Sequence, residues 1–233
     1  MIAQSISRIG AAALDLIYPP RCVLCDRLGS FLCDTCLAEL PRAEGRRCDA
    51  CWLPLRGPEC TACAEHPALL SRLRCVFRYE GEVRRLVQAF KFGGHSALGR
   101  ALAARLARCY REQGLEADCI VSVPLTGARR RNRGYNQAGL LAREVGREIG
   151  VPVVKALRRR GNATPQAASA TAEQRRANVA GVFQPARRSE VDGRRVLLID
   201  DVATTGATLS ACAGVLLSMG ASEVIGLTLA RED

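Results

Sequence analysis

Residues Val196 to Thr208 read V-L-L-I-D-D-V-A-T-T-G-A-T: an aliphatic run, two adjacent carboxylates, then a short Thr/Gly loop. An aliphatic run without polar alternation suits a strand buried on both faces of a parallel sheet. Leu209 to Met219 is predicted to be a helix, so the loop falls between a strand end and a helix N-terminus, where open α/β sheets bind ligands. Free backbone N–H groups and the positive end of the helix dipole favour a phosphate there. Gly206 permits close backbone approach, and the hydroxyls of Thr204, Thr205 and Thr208 can donate to phosphate oxygens. Asp200 and Asp201 suit different groups: the hydroxyls of a sugar, or a Mg²⁺ ion held between sugar and phosphates. Together these residues describe a ribose 5-phosphate site. The plainer alternative is a strand ending in a solvated Asp pair and a Thr-capped helix.

The rest of the chain supplies a sheet for that strand. Cys75 to Tyr79 reads as a strand, and Glu82 to Phe92 as an amphipathic helix with Val83, Leu86, Val87 and Phe90 inward. Lys91-Phe92-Gly93-Gly94 ends it with a glycine pair. Ala97 to Gln113 is a second helix. Cys119 to Val123 is a buried strand stopped by Pro124. Ala138 to Ile149 is a helix, and Val151 to Ala156, Val196 to Ile199 and Glu223 to Leu229 are strands. This alternation predicts an α/β fold, a mainly parallel sheet flanked by helices.

A different logic governs the first seventy residues. Eight of the twelve cysteines form four C-x-x-C pairs: Cys22/Cys25, Cys33/Cys36, Cys48/Cys51 and Cys60/Cys63. No secretion signal accompanies them, so disulfides are not expected and the cytoplasm is the implied compartment. A C-x-x-C knuckle presents two thiolates on one side of the chain, ready for tetrahedral Zn²⁺. The segment is rich in turn residues and poor in apolar ones, so metal binding supplies the folding energy that burial cannot. Adjacent pairing (Cys22, Cys25, Cys33, Cys36; then Cys48, Cys51, Cys60, Cys63) closes short loops at lower entropic cost than a crossed, RING-like brace. His66 is a spare ligand at most, and His95 reads as a loop residue. Cys75, Cys109, Cys119 and Cys212 read as small buried hydrophobes. The expected organisation is an N-terminal helix over 1–17, a double zinc ribbon over 18–70 and the α/β domain over 71–233.

The formal net charge of +11 favours polyanionic partners, while 4% aromatic content offers no stacking platform for single-stranded bases. No stretch is long and apolar enough to span a bilayer, which argues against stable membrane insertion. The loop after Pro124 carries Arg129, Arg130, Arg131 and Arg133, then Gly134-Tyr135-Asn136-Gln137. Its two readings are a solvated basic loop and an anion-binding loop on the same sheet edge as residues 204–208. Arg158 to Val182 is polar and contains Pro165. It is too long for a plain connector, leaving a lid or a solvated arm.

The Val196 stretch resembles the phosphoribosyl pyrophosphate (PRPP) motif of type I phosphoribosyltransferases. That resemblance gives Asp200 and Asp201 the ribose hydroxyls, and Ala203, Thr204, Thr205, Gly206, Ala207 and Thr208 the 5-phosphate. It gives pyrophosphate to Pro124, Leu125 and Thr126 with Arg129, Arg131 and Arg133. Thr164-Pro165-Gln166, Arg175, Arg176 and Asn178 become lid contacts that exclude water. Hypoxanthine–guanine members carry an Asp in place of Thr204. A Thr takes up no proton at neutral pH, so purine salvage by that scheme is disfavoured.

The wider order is P-P-R-C-V-L-C, C-D-T-C, two more cysteine pairs, F-R-Y-E-G, K-F-G-G, R-N-R-G-Y-N-Q and N-A-T-P-Q, then the PRPP motif. It resembles the ComF family, a double zinc ribbon fused to a phosphoribosyltransferase domain. Members are linked to DNA uptake in natural transformation, and a related branch to gluconate utilisation. The resemblance implies structural zinc at two sites and PRPP with Mg²⁺. It implies a pentosyl transferase of unassigned acceptor. The competing class is a non-catalytic, nucleic-acid-binding competence accessory protein that keeps the PRPP pocket as a sensor. The implied partners are PRPP and single-stranded DNA or DNA-uptake proteins, with a homo-oligomer left open.

Overall fold

The computed structural model describes residues 19–92, 97–127, 131, 134–160, 181–186 and 191–233. The expected helix over 1–17, His95, Arg129, Arg133 and the six candidate lid contacts lie outside the described residues. The chain divides into two compact units, Met1–Leu40 and Pro41–Asp233.

The smaller unit is built on a cysteine knuckle. Asp26 takes a positive φ of 61° and donates its N–H to the Cys22 carbonyl at 2.8 Å. Arg21 bridges to Leu28 across this turn. Cys33 then caps a short helix, α1 (Asp34–Glu39), by accepting the Cys36 N–H. No residue of α1 is buried, so metal rather than a core must hold this turn.

The larger unit repeats the knuckle with other residues. Trp52 has φ 59° and donates to the Cys48 carbonyl at 2.8 Å. A short helix, α2 (Thr61–Glu65), carries Cys63. The chain then enters β1 (Arg72–Arg78), α3 (Gly81–Phe92), α4 (Leu98–Glu112), β2 (Cys119–Ser122) and α5 (Gln137–Ile149). After these come β3 (Leu157–Arg159), β4 (Phe183–Pro185), β5 (Arg195–Ala203), α6 (Ala207–Ser218) and β6 (Glu223–Arg231). The main sheet has the order β1-β6-β5-β2 and every described pairing in it is parallel. No helix among the described residues is long and apolar enough to cross a membrane.

Strand alternation explains why β5 reads as continuously apolar. Val196 and Leu198 share a core with Leu209, Cys212, Ala213 and Leu216 of α6. Leu197 and Ile199 point the other way and are equally buried, on the side of α4 and α5. Those two helices approach closely at Gly99, where a Cβ would lie 2.6 Å from the Leu140 side chain.

Three expectations change. The strand expected over Val151 to Ala156 shrinks to one parallel bridge, Ile120 to Val153. Pro152 accepts from the Ile120 N–H at 2.8 Å but has no N–H of its own with which to extend the ladder. The segment expected as lid or arm from Arg158 begins inside the antiparallel pair β3–β4. Arg158 and Arg159 are therefore strand residues. Cys109 is only half-buried on α4, whereas Cys75, Cys119 and Cys212 are buried as expected.

The connections from β2 and β5 leave in opposite directions, towards Val153 on one side and β6 on the other. The switch point of the sheet therefore lies between the C-terminal ends of β2 and β5, where open α/β sheets place their ligand crevice.

Candidate functional site

The eight ribbon cysteines form two tetrads, Cys22, Cys25, Cys33, Cys36 and Cys48, Cys51, Cys60, Cys63. Adjacent pairs are thus grouped. In each tetrad the sulfurs lie within 4.8 Å of one another. Cys25 and Cys33 are 3.7 Å apart, Cys48 and Cys63 3.7 Å, and Cys51 and Cys60 3.5 Å. Four sulfurs bound at about 2.3 Å to a tetrahedral zinc would be about 3.8 Å apart, so both tetrads fit that ion. The thiols of each tetrad are shifted in both directions: burial is outweighed by backbone hydrogen bonds, which lower Cys22 to about 6 and Cys60 below its ordinary value. Hydrogen bonding to Cys25, with burial, raises the Cys36 thiol far above its ordinary range. Burial, with the neighbouring Cys51, does the same to Cys63. A divalent ion stabilises all four thiolates at once. His66 is exposed at the end of α2 and belongs to neither tetrad.

The second centre is the end of β5. The strand runs to Ala203, so Asp200 and Asp201 are its own residues, paired through Asp200 to Thr228 of β6. Consecutive strand residues face opposite sides. Asp200 lies on the α6 side, with Cys212 and Arg159 as electrostatic neighbours. Asp201 lies on the α3 side, with its Oδ1 3.1 Å from Lys91 Nζ. Burial first, then the charge of Asp201, pushes the Asp200 carboxyl up to about 7. The Asp201 N–H, bound to Asp200 Oδ1 at 2.8 Å, only partly offsets this. At neutral pH the second negative charge of the pair is incomplete, and a cation or hydroxyl donors would complete it.

The loop after β5 leads straight into the N-terminus of α6. Gly206 has φ 75°, a conformation that glycine adopts freely, and it offers no side chain to cap α6. The first amides of α6 are left at the loop. Thr205 Oγ1 accepts the Ala207 N–H at 3.3 Å. The Arg231 guanidinium, 2% exposed, donates to the Thr204 carbonyl and pins the loop.

The loop after β2 lies alongside. Val123 N–H donates to the Ile199 carbonyl at 2.9 Å, which brings Pro124 level with the Asp pair. Thr126 is buried, while Arg131 is exposed. The neighbouring Tyr135, Asn136 and Gln137 act on the backbone. Tyr135 Oη donates to the Phe90 carbonyl at 2.5 Å, Gln137 Nε2 to the Lys91 carbonyl at 3.2 Å and Asn136 Nδ2 to the Val123 carbonyl at 3.2 Å. They fasten the end of α3, and with it Lys91, against the loop after β2.

Lys91 is absent from the sequence-predicted site, yet its signal was present. It follows Val83, Val87 and Phe90 on the apolar stripe of α3, where a charge is out of place without a partner.

Residues 95–232 match the phosphoribosyl transferase domain family, and residues 13–75 the double zinc ribbon domain family. The chain is 32% identical to the DNA utilization protein YhgH of Escherichia coli O157:H7, over 90% of this chain and 96% of that one. It is 29% identical to competence protein F of Haemophilus influenzae, over 87% and 97% respectively. It is 27% identical to competence protein ComFC of Bacillus subtilis, over 86% and 84%. With both tetrads, the parallel sheet and near-complete alignment to these relatives, the chain belongs to the ComF family, a double zinc ribbon followed by a phosphoribosyl transferase domain.

Proposed function

We propose that the larger unit binds PRPP with Mg²⁺ and transfers its phosphoribosyl group. One observation carries this reading. Two adjacent carboxylates lie near the C-terminal end of a central parallel strand that runs into a glycine loop opening a helix, and a second loop lies across the switch point. The loop amides of residues 204–208 suit the 5-phosphate. Asp200 and Asp201 suit the ribose hydroxyls. Residues Pro124, Leu125 and Thr126 with Arg131 stand where pyrophosphate would leave. Asp200 and Asp201 would hold Mg²⁺, which would offset the negative charge of the leaving group. The chain's own share is positioning and charge stabilisation. Lys91, paired with Asp201 here, supplies a cation that can turn to the departing pyrophosphate.

The relatives are named for DNA utilization and competence, which supports a role for this activity in handling DNA. The net charge of +11 suits a protein that works beside nucleic acid. Calorimetry with PRPP and MgCl₂ tests the binding. Saturable binding that is lost in Asp200→Ala/Asp201→Ala supports it; no binding, or the same binding in that variant, sinks it.

A further inference from the structure

Arg231 is a buried cation, 2% exposed, at the end of β6. One terminal nitrogen donates to the Thr204 carbonyl, and among the described residues Nε has no hydrogen-bond partner and no carboxylate pairs with the guanidinium. A neutral donor would satisfy that carbonyl at a lower desolvation cost, so the charge itself needs a reason. The reason lies across one peptide group. In a trans peptide the C=O and the following N–H point in opposite directions. Holding the Thr204 carbonyl therefore turns the Thr205 N–H away from Arg231. A cation on the carbonyl also polarises the peptide and strengthens that N–H as a donor. A phosphate dianion on the far side would meet an aimed donor and offset the buried charge.

What holds Arg231 in place is its own stretch of chain. It pairs with Ala203 in the ladder, its carbonyl accepts the Tyr79 N–H at 2.7 Å, and the Glu232 N–H donates to the Ala203 carbonyl at 2.9 Å. Two residues on, both carboxylate oxygens of Asp233 accept from the Arg47 guanidinium, at 2.7 and 2.9 Å. The Arg47 side chain is itself buried and donates to the Trp52 carbonyl at 2.9 Å, on the knuckle of the second ribbon. A line of contacts thus runs from that ribbon, through residues 231–233, to the loop after β5. We propose that Arg231 and the Arg47–Asp233 pair are positioning residues for the 5-phosphate, fixing the Thr204–Thr205 peptide with its N–H turned to the phosphate. The inference rests on the PRPP reading above. A loop whose amides are already aimed loses less freedom when the ligand arrives. The second ribbon is the anchor of this line, which gives it a task at the site besides holding metal.

The test uses the full, zinc-loaded chain, well below its thermal transition. Calorimetry follows ribose 5-phosphate, which probes the loop, and pyrophosphate with MgCl₂, which probes the other end of the site. Arg231→Met should weaken ribose 5-phosphate about tenfold, and Arg231→Lys, which can still donate to the carbonyl, should recover most of that loss. Asp233→Asn and Arg47→Met should each weaken it about threefold, and the double variant no further, because the two act as one pair. Pyrophosphate affinity should stay within about twofold of native in every variant, which a merely structural loss would not spare. Unchanged ribose 5-phosphate binding in Arg231→Met overturns the proposal, as does an equal loss of both ligands or additive losses in the double variant. Asp233→Asn alters a partly exposed residue and keeps the test decisive if Arg231→Met fails to fold. If the native chain binds neither ribose 5-phosphate nor PRPP, the reading on which the proposal rests is overturned instead.

Discussion

The two zinc ribbons share a turn and differ in everything around it. In each, the residue after the second cysteine of the first pair takes a positive φ and donates back to the first cysteine: Asp26 in one, Trp52 in the other. Asp26 is an exposed polar residue whose carboxylate pairs with exposed Arg21 at 3.1 Å. Trp52 instead packs on the core, with the Arg74 guanidinium 4.4 Å from its ring centroid. Arg74 also binds Asp49 at 2.6 Å, and Arg47 grips Asp233 at 2.7 Å. One motif thus serves as a self-contained unit, and the other as a built-in part of the transferase domain. What separates them is the side chains that the knuckle presents, not the metal chemistry.

The strongest way to break the comparison is to remove each metal in turn. Cys25→Ser/Cys36→Ser and Cys51→Ser/Cys63→Ser should each lose about one of two zinc ions, as metal analysis would show. The second pair should also lower the main thermal transition by roughly 10 °C. That corresponds to about 4 kcal/mol for a unit of this size, because the Trp52, Asp49 and Arg47 contacts lose their frame. The first pair should leave that transition unmoved in scanning calorimetry. Equal shifts would mean that both ribbons support the larger unit alike.

A finer cut removes one ion pair from each side. Arg74 is 6% exposed and holds Trp52, Asp49 and Gln113 together. Arg74→Met should cost about 2–3 kcal/mol, less than a fully buried pair because Asp49 itself is solvated. Arg21→Met should cost about 0–1 kcal/mol, the usual value of an exposed pair. Urea denaturation of the two variants reads the difference; similar losses would erase the distinction.

The sequence carried the motif logic of both regions but not this asymmetry. Cysteine spacing fixes ligand geometry locally, so both tetrads were legible. Whether Trp52 or Asp26 meets a core depends on residues far away in the chain, such as Arg74 and Asp233. The strand–loop–helix of the PRPP motif was legible for the same local reason, although β5 proved longer because Asp200 and Asp201 continue the ladder with β6. Lys91 and Arg231 were missed as site residues. Each acts through tertiary contact, with Asp201 or the Thr204 carbonyl, and neither belongs to the motif. The sequence shows the Gly134-Tyr135-Asn136-Gln137 run as the end of a basic loop and as part of the family's R-N-R-G-Y-N-Q segment, with no contact assigned to it. It turns out to clamp the end of α3 to the loop after β2.

The smallest expected effect tests whether the first ribbon is independent of the site's chemistry. The Asp200 carboxyl, pushed up to about 7, is mostly protonated at pH 6 and mostly ionised at pH 8. Mg²⁺ and ribose hydroxyl donors both favour the ionised form. Affinity for PRPP with Mg²⁺ should therefore rise with pH across this window, by up to about tenfold, and level off above it. Binding at pH 7 should release a proton from Asp200, readable by calorimetry in two buffers of different ionisation enthalpy. PRPP's own phosphate titrates nearby, so Asp200→Asn provides the control: whatever slope it retains belongs to the ligand. The Cys25→Ser/Cys36→Ser variant should reproduce the native slope. If its slope flattened to that of Asp200→Asn, the smaller unit would be acting on the Asp pair, and the two ribbons would differ less than their surroundings imply.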